Sequence, residues 1–98
     1  MTCKFFFENY DLNDLDINSI YIKDNKLYLD VRMEGTIPLI ANGYRPEMDI
    51  DERRTFIFNV NHNDKKYSNN ISMIYKDNLI FFIDGEEIIT FENVLVKK

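Results

Sequence analysis

The chain has 98 residues, 45% of them hydrophobic, with 12 lysines and arginines against 17 aspartates and glutamates. This length fits a single domain, residues 1–98, with one core. The formal net charge of −5 argues against nucleic acid or an anionic membrane as a direct partner, because both attract clustered basic side chains. We expect a cytoplasmic protein, since no apolar run approaches a membrane span and the first residues do not resemble a signal peptide.

The N-terminal segment predicts two short elements. The aromatic run at residues 5–7 is typical of a short strand. Residues 11–15 then fit one helical turn with Asp11 as its N-cap. The acids and the asparagine within residues 14–18 have the spacing of the first calcium-loop ligands. That loop also needs a glycine and a glutamate further along, and the sequence lacks both at those places, so we expect no metal site.

A hairpin follows. Residues 26–34 alternate apolar and polar side chains, which predicts a strand with one solvent-exposed face. Residues 20–23 alternate in the same way, and the intervening Asp24 and Asn25 suit a two-residue type I′ turn. The turn pairs the apolar residues of the two strands, Ile22 with Leu27 and Ile20 with Leu29.

The connection from residue 35 to residue 52 is the best candidate for a binding loop. It holds both prolines and two of the three glycines, and long irregular connections in small domains tend to be functional. Tyrosine and arginine, which it also holds, are enriched at interface hot spots. The alternative is an edge strand at residues 37–40 followed by a surface crossover. The candidate binding residues are Tyr44, Arg45, Glu47, Asp49, Asp51 and Glu52.

The remaining chain predicts further strands. Residues 54–61 form a strand with Phe56, Phe58 and Val60 facing inward. Residues 70–91 form a three-stranded meander, and residues 94–96 continue it after a bulge near residues 92–93. The turns of the meander are Asp77-Asn78, which pairs Tyr75 with Ile80, and Asp84-Gly85, which pairs Phe82 with Glu87.

The middle strand of this meander, residues 79–83, is apolar on both parities. Such a strand is typical of the centre of a sheet covered on both faces, or of a dimer contact. Together the segments predict an all-β fold. We expect a small antiparallel β-sandwich of about 7–8 short strands, with a small β-barrel as the alternative.

No constellation of residues predicts catalysis. Cys3 and His62 are the only cysteine and the only histidine, so an internal disulfide and the common zinc sites are excluded. Acidic clusters at residues 49–52 and 84–87 lack a predicted cleft between two carboxylates, as general acid–base chemistry needs. We therefore expect neither an enzyme nor a cofactor.

The sequence favours a non-catalytic protein-binding module. Its acidic balance points to a basic protein partner, as in a small inhibitor or immunity-type protein of bacterial or phage origin. A first alternative is a small-ligand or carbohydrate-binding sandwich that uses Tyr21, Tyr28 and Tyr44 as stacking platforms. A second is a structural subunit that forms homodimers through an open strand edge at residues 94–96.

Overall fold

The computed structural model describes the backbone of residues 1–38, 47–68 and 70–97, and the side chains of these ranges except 34–38 and 47–51. A short helix and a 3₁₀ turn precede seven strands. The elements are α1 (Cys3–Asn9), the 3₁₀ turn (Leu12–Asp14), β1 (Asp16–Lys23), β2 (Lys26–Pro38), β3 (Glu47–Val60), β4 (Lys65–Tyr67), β5 (Ile71–Tyr75), β6 (Leu79–Ile83) and β7 (Glu86–Lys97). None of the described helices is long and apolar enough to cross a lipid bilayer.

The strands form one antiparallel sheet in the order β4-β1-β2-β3-β7-β6-β5, curled into a half-barrel. The predicted all-β class is confirmed. The predicted sandwich of two stacked sheets is not confirmed, and the curl is consistent with the barrel alternative. In place of a second sheet, α1 covers the concave face of the curled sheet, where the core lies.

The aromatic run that predicted an N-terminal strand is instead helical. Thr2 caps α1, and its Oγ1 accepts a hydrogen bond of 3.0 Å from the Phe5 backbone N–H. Phe6 is fully buried, and its ring centroid lies 4.9 Å from that of Phe56 and 5.1 Å from that of Phe58. The strand prediction is therefore wrong, because burial against the sheet outweighs the weak strand preference of three phenylalanines.

Two of the predicted turns are confirmed with their registers. Asp24 and Asn25 both have positive φ, 54° and 60°, as a type I′ turn requires. Asp84 and Gly85 also have positive φ, 51° and 83°. The strand pairs observed beside these turns are Ile22 with Leu27, Ile20 with Leu29, and Phe82 with Glu87.

The register predicted between β5 and β6 is wrong by one residue. Tyr75 pairs with Leu79 and not with Ile80, so the loop has three residues, and the Lys76 N–H donates to the Asn78 carbonyl at 3.1 Å. This register places the half-buried side chains of β5 on the same face as the fully buried residues of β6. Burial of the inner face therefore decides the register here, and not the Asp-Asn signal.

The predicted bulge near residues 92–93 is confirmed. Glu92 has a φ of 66°, and the pairing of β3 with β7 slips between Ile57–Leu95 and Asn59–Phe91. The bulge lets β7 follow the curl of the sheet.

Strands β2 and β3 extend beyond their neighbours as a two-stranded arm. β1 accompanies β2 only as far as Arg32, and β7 accompanies β3 only from Thr55, whereas β2 and β3 pair out to Pro38 and Glu47. The molecule is accordingly elongated, 51 × 25 × 21 Å. The irregular connection predicted for residues 35–52 is thus strand at both ends, and no edge strand begins at residue 37.

We predict that Phe6→Ala lowers the free energy of unfolding by about 3–5 kcal/mol, because the substitution leaves a cavity among buried aromatic rings. Phe5→Ala is the matched control, since Phe5 lies in the same helix and is 49% exposed; its effect should stay within about 0.5 kcal/mol. Urea denaturation measures both changes. Equal losses from the two variants would contradict this account of α1.

Candidate functional site

The structure describes only part of the predicted binding loop. Tyr44 and Arg45 lie outside the described residues. Glu47, Asp49 and Asp51 occupy alternate positions of β3 in the arm. Their role in binding stays a prediction.

Glu52, the last of these candidates, has a partner within the chain. Its Oε2 accepts hydrogen bonds from Arg54, at 2.8 Å from Nη2 and 3.1 Å from Nε. This pairing at the base of the arm orients both side chains on the same face of β3. It also makes Glu52 less available to a basic partner than an unpaired carboxylate would be.

Cys3 and His62 contact different groups. Cys3 is buried in α1, where its Sγ donates to the Glu92 carbonyl at 2.9 Å. His62 Nε2 lies 3.9 Å from a carboxylate oxygen of Glu86. Within the described side chains, no group of three or more histidines, cysteines or acids could hold a metal ion.

The tyrosines of β1 and β2 lie on the outer, convex face of the sheet. The rings of Tyr21 and Tyr28 stack on each other, with centroids 4.9 Å apart and planes 7° apart. Burial and the nearby Asp30 carboxylate raise the pKa of Tyr21 above its usual value. Each ring therefore uses one of its faces to contact the other tyrosine, and that face is not open to a ligand.

The two edges of the sheet differ sharply. The edge strand β4 has three residues, two of them lysines, and short, lysine-bearing edges resist the addition of another strand. The edge strand β5 has five residues, Ile71-Ser72-Met73-Ile74-Tyr75, with neither charge nor proline. Nothing in its sequence protects β5 from pairing with another strand.

The hydrogen-bond pattern shows which peptide groups of β5 are open. The Asp84 N–H donates to the Asn70 carbonyl at 3.0 Å, and the Lys76 N–H donates to the Asn78 carbonyl at 3.1 Å. Both bonds fit the β5–β6 register and join even-numbered residues of β5 to the other strand. Hydrogen-bonded and non-hydrogen-bonded pairs alternate along an antiparallel ladder. The even-numbered residues of β5 therefore direct their peptide groups toward β6. The odd-numbered residues direct theirs away from the sheet. Among the described residues, no backbone–backbone hydrogen bond outside the ladder reaches these groups.

A groove of about 470 Å³ runs along this open edge. Residues 71–73 form one wall, and residues 7–14 form the other. The second wall combines Phe7, Tyr10 and Leu12 with the exposed carboxylates of Glu8, Asp11 and Asp14. We take the open edge of β5 and this groove as the candidate functional site, and call it the β5 groove. Sequence reasoning missed it.

An apolar row on the outer face continues toward the same edge. Ile89 pairs with Ile80, and Ile80 pairs with Ile74; Ile74 and Ile89 are 37% and 43% exposed. The predicted covering of residues 79–83 is thus complete on the concave face and partial on the convex face. Partly exposed isoleucines in register form the kind of surface on which apolar groups of a partner pack.

The other edge proposed from the sequence is partly occupied. Beside residues 94–96, the Val94 N–H donates to the Met1 carbonyl at 2.8 Å, and Thr2 forms a bridge with Asn93. The N-terminus thus covers the start of this edge, and β5 is the better candidate for pairing.

The acidic cluster at residues 84–87 ties β4 to the β6–β7 turn. Glu86 Oε2 accepts hydrogen bonds from Lys65 Nζ at 3.1 Å and from the Tyr67 hydroxyl at 2.9 Å. Asp84 accepts from the Ser68 hydroxyl, and from the Ser68 backbone N–H at 3.0 Å. These contacts close one corner of the half-barrel.

The same contacts shift the pKa values of the cluster. The hydrogen bonds from Lys65 and Tyr67 hold the pKa of Glu86 below its ordinary 4.5. The bonds from Ser68 likewise hold the pKa of Asp84 below its ordinary 3.8. Burial, together with the bond to Glu86, raises the pKa of Tyr67 to about 12. The arrangement is that of a structural clamp, with the acids charged and the tyrosine neutral at pH 7.

Comparisons with protein-family models, with curated proteins and with solved structures give no match.

We predict that the clamp makes stability depend on pH in two ranges. A carboxyl whose pKa is lowered by folding stabilises the fold above its ordinary pKa and loses that contribution as pH falls through the folded value. In the variant Glu86→Gln, the free energy of unfolding should therefore fall less steeply as the pH drops below about 4.5. The pKa of Tyr67 is raised, so Tyr67 stabilises the fold below its ordinary pKa of 10.0 and loses that contribution as the pH rises above it. In the variant Tyr67→Phe, the free energy of unfolding should therefore fall less steeply above pH 10.

Urea denaturation across the two pH ranges measures these slopes. Glu87→Gln removes an exposed neighbouring acid and serves as the control. An acid slope that is the same in Glu86→Gln and in the unmodified chain would contradict the clamp.

Proposed function

We propose that this protein is a non-catalytic protein-binding module that takes an extended segment of a partner protein as an additional strand beside β5. The single observation that carries the proposal is the open, uncharged edge of β5. Peptide groups at a free sheet edge are unpaired donors and acceptors at strand spacing, and strand addition is a recurring way of recognising extended peptides.

The difference between the two edges supports this proposal. The fold exposes two terminal strands, and only β4 carries the lysines that discourage pairing. An edge left unprotected in a small soluble domain is an aggregation hazard unless a partner uses it. The β5 groove also gives an incoming strand a second wall, which a bare sheet edge does not offer.

The acidic surface supports a basic partner, in the manner of an inhibitor or immunity-type protein. The chain has a net charge of −5, and acidic residues lie both beside the β5 groove and along the arm. Acidic complementarity would mainly speed association with a basic protein. The arm residues Glu47, Asp49 and Asp51 remain candidates for a second contact with such a partner.

We predict that amide hydrogen exchange alternates along β5. In the free protein, the N–H groups of Ile71, Met73 and Tyr75 should exchange quickly, and those of Ser72 and Ile74 slowly, because only the latter pair with β6. An eight-residue peptide of alternating Gln and Val, with blocked ends, should slow the three fast amides by at least about tenfold when it occupies the edge. NMR measures each amide separately.

Proline substitution supplies the matched variant for this experiment. Met73→Pro removes an N–H that the β5–β6 ladder does not use, so it should abolish peptide binding and keep the sheet. Ile71→Pro, at the first residue of the strand, is a second such variant in case the first fails to fold. Met73→Val keeps the N–H and should bind normally. Slow exchange of all five amides in the free protein would refute the proposal, as would peptide binding that leaves the fast amides unchanged.

A further inference from the structure

We infer that the segment taken up by the β5 groove alternates basic and apolar residues, with the basic side chains on the concave side and the apolar side chains on the convex side. This inference rests on the strand-addition function proposed above. It adds the chemical class of the partner segment and the orientation in which it binds.

The concave side of the added strand meets acidic groups. Side chains of successive strand residues point to opposite faces, so every second residue of the added strand faces the wall formed by residues 7–14. That wall presents three exposed carboxylates, those of Glu8, Asp11 and Asp14. The only basic residue in an ion pair with them among the described side chains is Lys4, 3.8 Å from Glu8. Lysine or arginine side chains of the added strand would therefore meet carboxylates there.

Apolar groups at the base of the wall suit the same side chains. Tyr10 and Leu12 are half-buried, and Phe7 is 36% exposed beside Tyr75, with ring centroids 5.9 Å apart. Long basic side chains pack their methylene stems on apolar surface and keep the charged end in water. The wall thus offers surface for the stem and carboxylates for the charge.

The convex side of the added strand meets a different surface. Its side chains would extend the row formed by Ile89, Ile80 and Ile74, next to the small, exposed Ser72. Cross-strand pairs of β-branched residues stabilise sheets. Valine or isoleucine on this side would cover Ile74, which is 37% exposed in the free chain.

The same charges disfavour a second copy of this chain as the occupant. Pairing of β5 with its own counterpart would bring two acidic walls together, and each copy carries a net charge of −5. The arm is no better suited, because Glu34, Asp49 and Asp51 add negative charge to it. Charge complementarity therefore selects a different, basic protein.

The test compares four eight-residue peptides with blocked ends. Three alternate Val with Lys, with Gln or with Glu, and the fourth places four Lys before four Val. Isothermal titration gives the affinities, and amide exchange at β5 reports where each peptide binds. We expect the Lys/Val peptide to bind at least about tenfold more tightly than the Gln/Val peptide, since each exposed ion pair contributes up to a few-fold. The Glu/Val peptide and the block peptide should bind more weakly than both.

A pair of double variants shows whether the wall is responsible. Asp11→Asn with Asp14→Asn keeps the N-cap, because asparagine caps as well as aspartate, and it should remove most of the preference for Lys/Val. The control, Asp24→Asn with Glu87→Gln, removes the same charge at two exposed residues that do not line the groove and should keep the preference. Rising salt should weaken the Lys/Val peptide and leave the Gln/Val peptide unaffected.

The outcomes separate this inference from the proposed function. If the Lys/Val and Gln/Val peptides protect β5 equally and with equal affinity, strand addition stands and the inference is wrong. The same holds if the two double variants behave alike. If no peptide protects the β5 amides, including a Lys/Val peptide that binds elsewhere on the acidic surface, the proposed function fails and the inference fails with it.

Discussion

The packing of Phe6 against Phe56 and Phe58 completes the core on the concave face of the sheet. A single curled sheet buries its concave face only if something fills it, and here a seven-residue helix does so. This solution removes the need for a second sheet, but it leaves the sheet with two edges. It also places the end of α1 and the following turn beside β5. Helix α1, which completes the core, therefore also forms one wall of the β5 groove together with the turn that follows it.

The local hairpins could be predicted from the sequence, because their signals are local. Asp24-Asn25 and Asp84-Gly85 are residues that adopt positive φ with little strain. In the strands on either side of each turn, the paired apolar residues lie on the same face. The β5–β6 register could not be read in this way, since Asp77-Asn78 resembles a two-residue turn. Only the burial of one face, which depends on the whole sheet, moves the pairing by one residue. The half-barrel likewise could not be predicted from local patterns, since it is covered by α1 and not by a second sheet.

The helix and the site were missed for related physical reasons. The sequence does contain a signal for the helix, namely Thr2 as an N-cap followed by Cys3, Phe6 and Tyr10 at helical spacing. Three adjacent phenylalanines favour a strand instead, and this led to the wrong prediction. Which strand lies at an edge depends on strand order, and no local pattern gives it. The contrast between two lysines in β4 and none in β5 is present in the sequence, but it acquires meaning only once both strands are known to be terminal. The acidic wall of the groove is even harder to predict, since more than fifty residues separate it from β5 in sequence.

We propose that an incoming strand pairs with β5 and with no other edge of the sheet. The most direct measurement is the pattern of backbone NMR contacts between the chain and a bound, isotope-labelled Lys/Val peptide. We expect cross-strand contacts from the peptide backbone to Ile71, Met73 and Tyr75, which would extend the sheet to eight strands. Contacts to β4, or to the edge of β7 at residues 94–96, would contradict it.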